Sequence, residues 1–433
     1  MGHPGKGIGR LVRGDNMRVL LSAYGFSPFR GSEGAVGWNI AKELAKYHDV
    51  TVITGEVKDR GYENEYPDYV KEHGTVERLT VVYLKPTRTI QFIERLHGLP
   101  GMWALYYVAY NLWQRMAFGK AKELHQEKPF DIVHHLTMIG YREPGYMWKL
   151  GVPFFWGPVG GSVNEPLEYS GIYSTSGRIK AYIRYAVNGI QKRVLLRPRL
   201  AAKCARKIWA VTSADVDTIT RIWGIHCEQM VETAATVMSD AKIRLWDGVS
   251  PLRIVWSGTH TYGKAMPILI HALVVLGKNI RLAQRIRIDV LGKGEETEKW
   301  KRLAESTGVG SLFNWIGYVP RCEALNIMNK AHLLVFTSVK EGTPHVVLEA
   351  LSLGLPVVCH DACGMGVVVD ERCGMKVQMA GVSASIDGFA SALGRIIDNP
   401  ELVEKFSGGA LERAKELTWA ANAKVFADAY NAI

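Results

Sequence analysis

The feature that most limits what this chain can fold into is a pattern that runs through it twice: short apolar runs separated by helix-length intervals. Arg18–Ser22, His48–Thr54, Leu79–Tyr83, Ile132–His135, Phe154–Trp156 and Lys207–Thr212 form the first series, and Arg253–Ser257, Ile286–Leu291, Leu312–Ile316, His332–Thr337 and Pro356–Cys359 the second. Apolar runs this short are strands covered on both faces, as in a parallel sheet with helices packed on each side. Strand and helix in alternation predict a doubly wound α/β sheet with right-handed crossovers. Two series in 433 residues predict two such domains, because one core does not keep growing over that length. The expected division is a first domain at 17–235, a linker at 236–252 and a second domain at 253–418, with a last helix from about Trp419 to Ala432 beyond a Gly408-Gly409 break. Two facing domains would hold a ligand at the C-terminal ends of their strands.

The strand His332–Thr337 leads into Glu341-Gly-Thr-Pro-His-Val-Val-Leu-Glu349, whose apolar helical run stops at Gly354 and Pro356. The order is strand, glycine turn, helix N-terminus, with a carboxylate at each end of the stretch. A helix N-terminus offers unpaired N–H groups and the positive end of a dipole, which suits phosphate. Two carboxylates there would repel phosphate unless they face sugar hydroxyls, which a carboxylate accepts in pairs. The combination points to a ligand with both phosphate and polyol, a nucleotide sugar.

That stretch resembles the glutamate–seven residues–glutamate motif of retaining glycosyltransferases with the GT-B fold, family 4 (group 1) in particular, and the resemblance covers about 17–433. It implies that Glu341 holds the donor sugar and Glu349 the ribose. Gly342, Thr343, Pro344, His345 and Val346 would line the donor, with Pro344 lacking an N–H to offer. Gly31-Ser32-Glu-Gly34, expected before a helix from about Trp38, resembles the family's glycine-rich loop and lacks the spacing of a dinucleotide fingerprint. Phe130–Thr137 resembles the strand that brings a histidine to the active site, with His134 and His135 both candidates for a catalytic role. Trp156–Gly161 is either a cleft loop or a plain turn. Gly258 ends the first strand of the second domain, but Thr259 stands where the family has an arginine. Of the usual Arg-Lys pair further on, only Lys264 is kept, as the cation that stabilises the leaving diphosphate. His260, or an arginine from elsewhere, is a candidate substitute. Gly292-Lys-Gly294 resembles a loop near the nucleotide, Tyr318-Val319 the segment that holds the base, and Cys363–Gly366 a loop near the phosphates.

The resemblance implies transfer of a sugar from a nucleoside-diphosphate donor to a glycan or lipid-linked acceptor, as in surface polysaccharide assembly, with retention and with no bound metal or cofactor. In GT-B proteins the last helix crosses back onto the first domain. The missing arginine keeps a second reading open, a degenerate GT-B protein that binds a ligand without turnover.

Charge adds a partner. Residues 1–230 hold 31 Lys+Arg against 21 Asp+Glu, and 231–433 hold 22 against 21, so the first half carries nearly all of the +11. Tyr169 to Ala214 contains no acidic residue, and its ten basic residues interleave with Ile179, Tyr182, Ile183, Val187, Ile190 and Val194 at helical spacing. Peripheral association with anionic membrane through 169–214, at the inner face of the plasma membrane of a cytoplasmic protein, is the expected reading. A solvated basic face is the bland one, and no recognised module supports nucleic acid. The uncharged run Leu96–Gln114 is interrupted by Gly98, Pro100 and Gly101, so a buried helix is favoured over a membrane-contacting one. Six cysteines without CxxC spacing imply a reduced compartment. Residues 1–16 read as a disordered tail.

Overall fold

A computed structural model describes residues 16–55, 62–99, 101–102, 104–173, 175–238, 241–278 and 282–433. The expected tail lies outside these except for residue 16, as does Trp103 of the uncharged run.

The strands fall into two sheets. The first contains β1 (Arg18–Ser22), β2 (Asp49–Thr54), β3 (Leu79–Tyr83), β4 (Ile132–His135), β5 (Phe154–Val159), β6 (Ala205–Ala210) and β7 (Glu228–Gln229), in the order β3-β2-β1-β4-β5-β6-β7. The second contains β8 (Leu252–Ser257), β9 (Ile286–Leu291), β10 (Phe313–Gly317), β11 (Leu333–Phe336), β12 (Val357–His360) and β13 (Gly374–Val377), in the order β10-β9-β8-β11-β12-β13. Each therefore runs outward from its first strand and then reverses, the doubly wound order, with switch points at β1/β4 and β8/β11. All neighbouring pairs of the second sheet are parallel. By compactness the chain divides into one unit of Met1–Met138, Gly145–Phe155 and Ala423–Ile433, and another of Ile139–Pro144 and Trp156–Asn422.

In the first unit, β1 pairs in parallel with β2 and β4, and Val19, Leu20, Leu21, Ile132 and Val133 are buried. The helix Leu105–Glu127 turns Tyr110 and Trp113 inward, and both meet the edge of Tyr24, with ring centroids 4.8 and 4.9 Å apart. The uncharged run is thus largely a packed helix, although Tyr107 and Val108 face out. The helix Glu33–Leu44 starts five residues earlier than the sequence suggested. A Cβ on Gly37 would overlap the Gly25 carbonyl oxygen, so these glycines let the helix lie against the loop that follows β1.

In the second unit, Trp256, Leu269, Leu273, Val290, Leu333 and Phe389 fill the space between the second sheet and its helices. The helix Glu401–Glu416 passes straight through Gly408-Gly409, where a break was expected. The cause is again close approach: a Cβ on Gly409 would overlap the Arg372 carbonyl. The helix Thr175–Val194 lies the unusual way round. Gly177, Ala181 and Asn188 are buried, while Ile179, Tyr182, Ile183, Val187, Ile190 and Val194 are exposed.

Candidate functional site

The second sheet places the expected donor residues at its switch point. Lys264 sits on the turn Tyr262–Lys264 after β8, and Glu341 on the turn after β11, the neighbouring strand. The Lys264 ammonium forms an ion pair with Glu341 Oε1, which also accepts from Ser338 Oγ at 2.6 Å. The lysine amine lies 5.0 Å from the Phe336 ring centroid, and its backbone carbonyl accepts from Thr337 Oγ1 at 2.9 Å. Cation and carboxylate are both less than a quarter exposed, so their attraction is less screened than at the open surface. The crevice outside a switch point is where doubly wound sheets take ligands.

Beyond Glu341 the turn is held from three sides. Gly364 donates its N–H to the Gly342 carbonyl at 2.9 Å, and Cys363 Sγ accepts the Glu341 N–H at 3.4 Å. Thr233 Oγ1 and His345 Nδ1 are 3.0 Å apart. Glu232 Oε1 accepts the Thr343 N–H at 2.6 Å and fills the space a Cβ on Gly342 would need. Pro344 then opens the helix His345–Ser352. Thr343, one of the N–H groups expected to reach a donor, is thus already engaged by a carboxylate of the chain. Burial raises the Glu232 pKa to about 6, against the lowering by its bonds to Thr343. Burial also lowers the His345 pKa, with Arg321 adding to it.

One helical turn on, Glu349 Oε1 accepts from Arg321 Nε at 2.6 Å, a partner the sequence did not suggest. Val346 packs against the core beneath the helix, as does Val319 after β10, while Tyr318 is largely exposed, its ring centroid 5.8 Å from Lys293 Nζ. Gly292, at φ 105°, and Gly294 owe their identity to loop packing. Cβ atoms there would overlap the carbonyls of Gly258 and His260. Thr259 follows Gly258 in the same loop, and His260, the candidate substitute for the absent arginine, comes next. It is buried between Trp256, Trp300 and Trp315, bonded through Nδ1 to Thr297 Oγ1 at 2.8 Å, and burial lowers its pKa.

The first-domain candidates are less engaged with chemistry. His134 is fully buried, hydrogen-bonded to the Tyr430 hydroxyl and edge-on to Phe426 at 4.9 Å, both on the helix Trp419–Asn431. His135 is 2% exposed, its ring facing the Gly145 backbone and Gln114. Gly31 and Ser32 are exposed at the start of the helix Glu33–Leu44, with Ser32 at φ 57°, while Gly34 lies inside that helix against Ser27.

Residues 250–413 match the family model of glycosyl transferases group 1. D-inositol 3-phosphate glycosyltransferase of Streptomyces griseus is 31% identical over 176 residues, 39% of this chain and 36% of that protein. The chain therefore spans only about a third of the length of that curated relative. Among solved structures, the apo lipopolysaccharide outer core galactosyltransferase WaaB superposes with TM-score 0.61 at 14% identity, over 95% of this chain and 99% of that one. Anabaena HepE in complex with UDP gives 0.60 at 14%, over 96% and 100%. The chain has the GT-B fold and resembles the group 1 glycosyltransferases.

The matched segment contains Lys264, Glu341 and Glu349 but begins after Glu232. That residue and Arg321 were missed by sequence reasoning. Glu232 lies 111 residues from Thr343 in a segment without periodic pattern, so nothing local marked it. Arg321 follows Pro320 at a helix start, 28 residues before Glu349, and nothing in the spacing linked the two.

Proposed function

We propose that the chain transfers a sugar from a nucleoside-diphosphate sugar to a glycan or lipid-linked acceptor, with retention and without a metal. The observation that carries this reading is the Lys264–Glu341 pair at the β8/β11 switch point, inside the segment that matches the group 1 family. In the reaction as proposed, Glu341 accepts hydroxyls of the donor sugar and Glu349 those of the ribose. As the glycosidic bond lengthens, charge grows on the departing diphosphate. Lys264, released toward it, and the N-terminus of the helix His345–Ser352 stabilise that charge. A fixed cation aimed at developing charge is worth roughly 10²–10³ in turnover, by analogy with a single oxyanion-hole donor.

A second reading has observations of its own. Thr259 replaces the usual arginine, Glu232 occupies the Thr343 N–H, and Arg321 occupies Glu349. A protein that binds a ligand without turnover would tolerate all three. Screening nucleotide sugars for donor hydrolysis separates the readings. Turnover with one donor, lost in Lys264→Ala, supports the enzyme, whereas no turnover with any donor leaves the binding protein.

The helix Thr175–Val194 supports peripheral association with anionic membrane. Its apolar stripe faces outward between basic side chains, and apolar burial combined with cationic charge is what an anionic interface rewards. Among the described residues no helix is long and apolar enough to cross a membrane. A lipid-linked acceptor fits a chain that rests on the lipid surface.

A further inference from the structure

The inner face of the same helix carries charge that the donor site does not use. Arg142 Nε donates to Gln191 Oε1 and Nη2 to Asn188 Oδ1, both at 2.6 Å and both on that helix, and Nη1 donates to the Gly161 carbonyl at 3.2 Å. Lys192 follows Gln191 directly. Arg184, a turn before Asn188, donates to Glu165 Oε1 at 2.8 Å, and the Lys340 amine lies 3.3 Å from the same oxygen. Four cations are thereby joined by direct contact or adjacency, and Lys340 is the residue before Glu341 of the donor turn.

The carboxylates nearby are committed. Asp215 accepts the Ser162 N–H at 2.9 Å, the Thr212 N–H at 3.2 Å and both hydroxyls. Glu143 pairs with Arg197. Glu165 serves Arg184 and Lys340 through one oxygen. Arg142 is held by three neutral acceptors, and no ion pair to Lys192 is found among the described residues. Burial lowers the pKa of both Lys192 and Lys340; Asp215 opposes it at Lys192 and Glu165 at Lys340, while Arg142 adds to it at both. Partly buried positive charge in excess is costly unless an anion joins it.

A second observation is independent of charge. Glu165 is 4% exposed, and its Oε2 has no hydrogen-bond donor among the described residues; Tyr173, 5% exposed, has a hydroxyl with no partner among them. The Tyr173 ring packs on Tyr262 at 4.9 Å, and the Tyr262 hydroxyl lies 3.5 Å from Glu165 Oε1. Beside the cations, then, are a buried acceptor lacking a donor and a buried hydroxyl lacking a partner. A ligand that carries hydroxyls as well as an anion would satisfy both.

We propose that Arg142, Lys192 and Lys340 form a second anion site, which takes a phosphate group borne by a sugar acceptor, next to the donor turn. The proposal rests on the transfer reading for the word acceptor, and on the geometry alone for the phosphate. Phosphate suits the site because Arg142 presents a guanidinium already fixed by its neighbours and the two lysines bring point charges. The phosphate of a soluble sugar phosphate and that of a lipid-linked sugar offer the same chemistry.

The test is calorimetric titration of the full chain with inorganic phosphate, glucose 6-phosphate, and vesicles carrying a polyprenyl phosphate. Wild type and Lys264→Ala should both bind phosphate, and R142Q/K192Q should bind it about tenfold more weakly or worse, the loss expected for charge-assisted bonds. R142K/K192R, which keeps the charge, should recover part of the affinity, and an unchanged unfolding midpoint certifies that the glutamine variant is folded. Tighter binding of the hexose phosphate or of the polyprenyl phosphate supports the site and names its source. Equal phosphate affinity in wild type and R142Q/K192Q, or no binding by wild type, overturns it. Phosphate binding without turnover of any donor would remove the transfer reading and leave the site standing, so the two failures are distinguishable.

Discussion

Glu232 holds Thr343: its Oε1 accepts the Thr343 N–H at 2.6 Å, while Oε2 is shut off from solvent without a partner among the described residues. The carboxylate occupies an N–H just before the helix His345–Ser352, one of those that the proposed reading assigns to the donor. Its charge is thus set against the dipole that would attract phosphate, and it is kept there at the expense of desolvation. This pairing has a pH signature.

Burial raises the Glu232 pKa from 4.5 to about 6. The folded chain therefore binds this proton more tightly than the unfolded one. The sign follows from linkage: the group's stabilising contribution is complete below pH 4.5, falls as pH rises through about 6, and is gone above that. The swing is about 2 kcal/mol, from roughly 1.36 kcal/mol per pKa unit. Glu232→Gln keeps an acceptor for Thr343 and removes the titration. Denaturant unfolding of both proteins between pH 4 and pH 7 should show Glu232→Gln gaining on wild type as pH rises. A constant difference across that range would show that burial does not perturb Glu232.

Arg321 and Glu349 yield a prediction in binding. If Glu349 takes the ribose hydroxyls, Arg321 competes for the same oxygen, at 2.6 Å. Arg321 is 65% exposed, so its ion pair adds at most about 1 kcal/mol to stability. Arg321→Ala should leave nucleotide affinity unchanged or tighter, while Glu349→Ala should weaken it about tenfold, the loss of one or two charged hydrogen bonds. Calorimetry with the nucleoside diphosphate of the donor that turns over reads both, and equal weakening by the two would make Arg321 part of the site.

Much of this was legible from the chain, and the remainder has physical causes. Strand β9 was read residue for residue and β4 likewise, because their β-branched residues, Ile286, Ile288 and Val290 in alternation and Ile132-Val133 in sequence, mark short buried strands between helix-length intervals. Strands β7 and β13 escaped: one is two exposed polar residues, the other opens on Gly374, whose Cβ would overlap the Val357 carbonyl. The glycines at 34, 37 and 409 read as loop or break because their backbone freedom is local, whereas the contacts that require them, with Ser27, Gly25 and Arg372, lie 7 to 37 residues away. Lys264 and Glu341 were identified separately, and their ion pair became visible only when β8 and β11 were seen side by side. Glu232 had no signal at all, since hydrogen bonds across 111 residues leave no trace in spacing.

The glycine argument is testable at Gly292. An alanine there would take φ 105°, a region L-residues avoid, and set a Cβ into the Gly258 carbonyl. Left-handed strain and overpacking together predict a loss of about 2–5 kcal/mol. Gly263, in the neighbouring loop, has open space around its Cβ position and an ordinary φ, so Gly263→Ala should change stability by no more than about 0.5 kcal/mol. Denaturant midpoints measured side by side check the contrast, and similar midpoints for the two variants would refute it.

The outward apolar stripe of the helix Thr175–Val194 makes the last prediction. Ile183 and Ile190 are 59% and 60% exposed, so they contribute little to the folded chain in water. Each would bury a side chain worth about 1.5–3 kcal/mol on entering an interface. The double variant I183D/I190D should leave the unfolding midpoint within about 0.5 kcal/mol of wild type, and should cut co-sedimentation with anionic liposomes more than tenfold. Removing basic charge at Arg178 and Lys180 should instead reduce binding at low salt and matter little at high salt, where surface charge is screened over a few ångströms. The two arms separate the apolar from the electrostatic part of the attachment. Liposome binding by wild type that is untouched by either set would place the membrane contact elsewhere on the chain, and absence of binding at both salts would return the stripe to solvent.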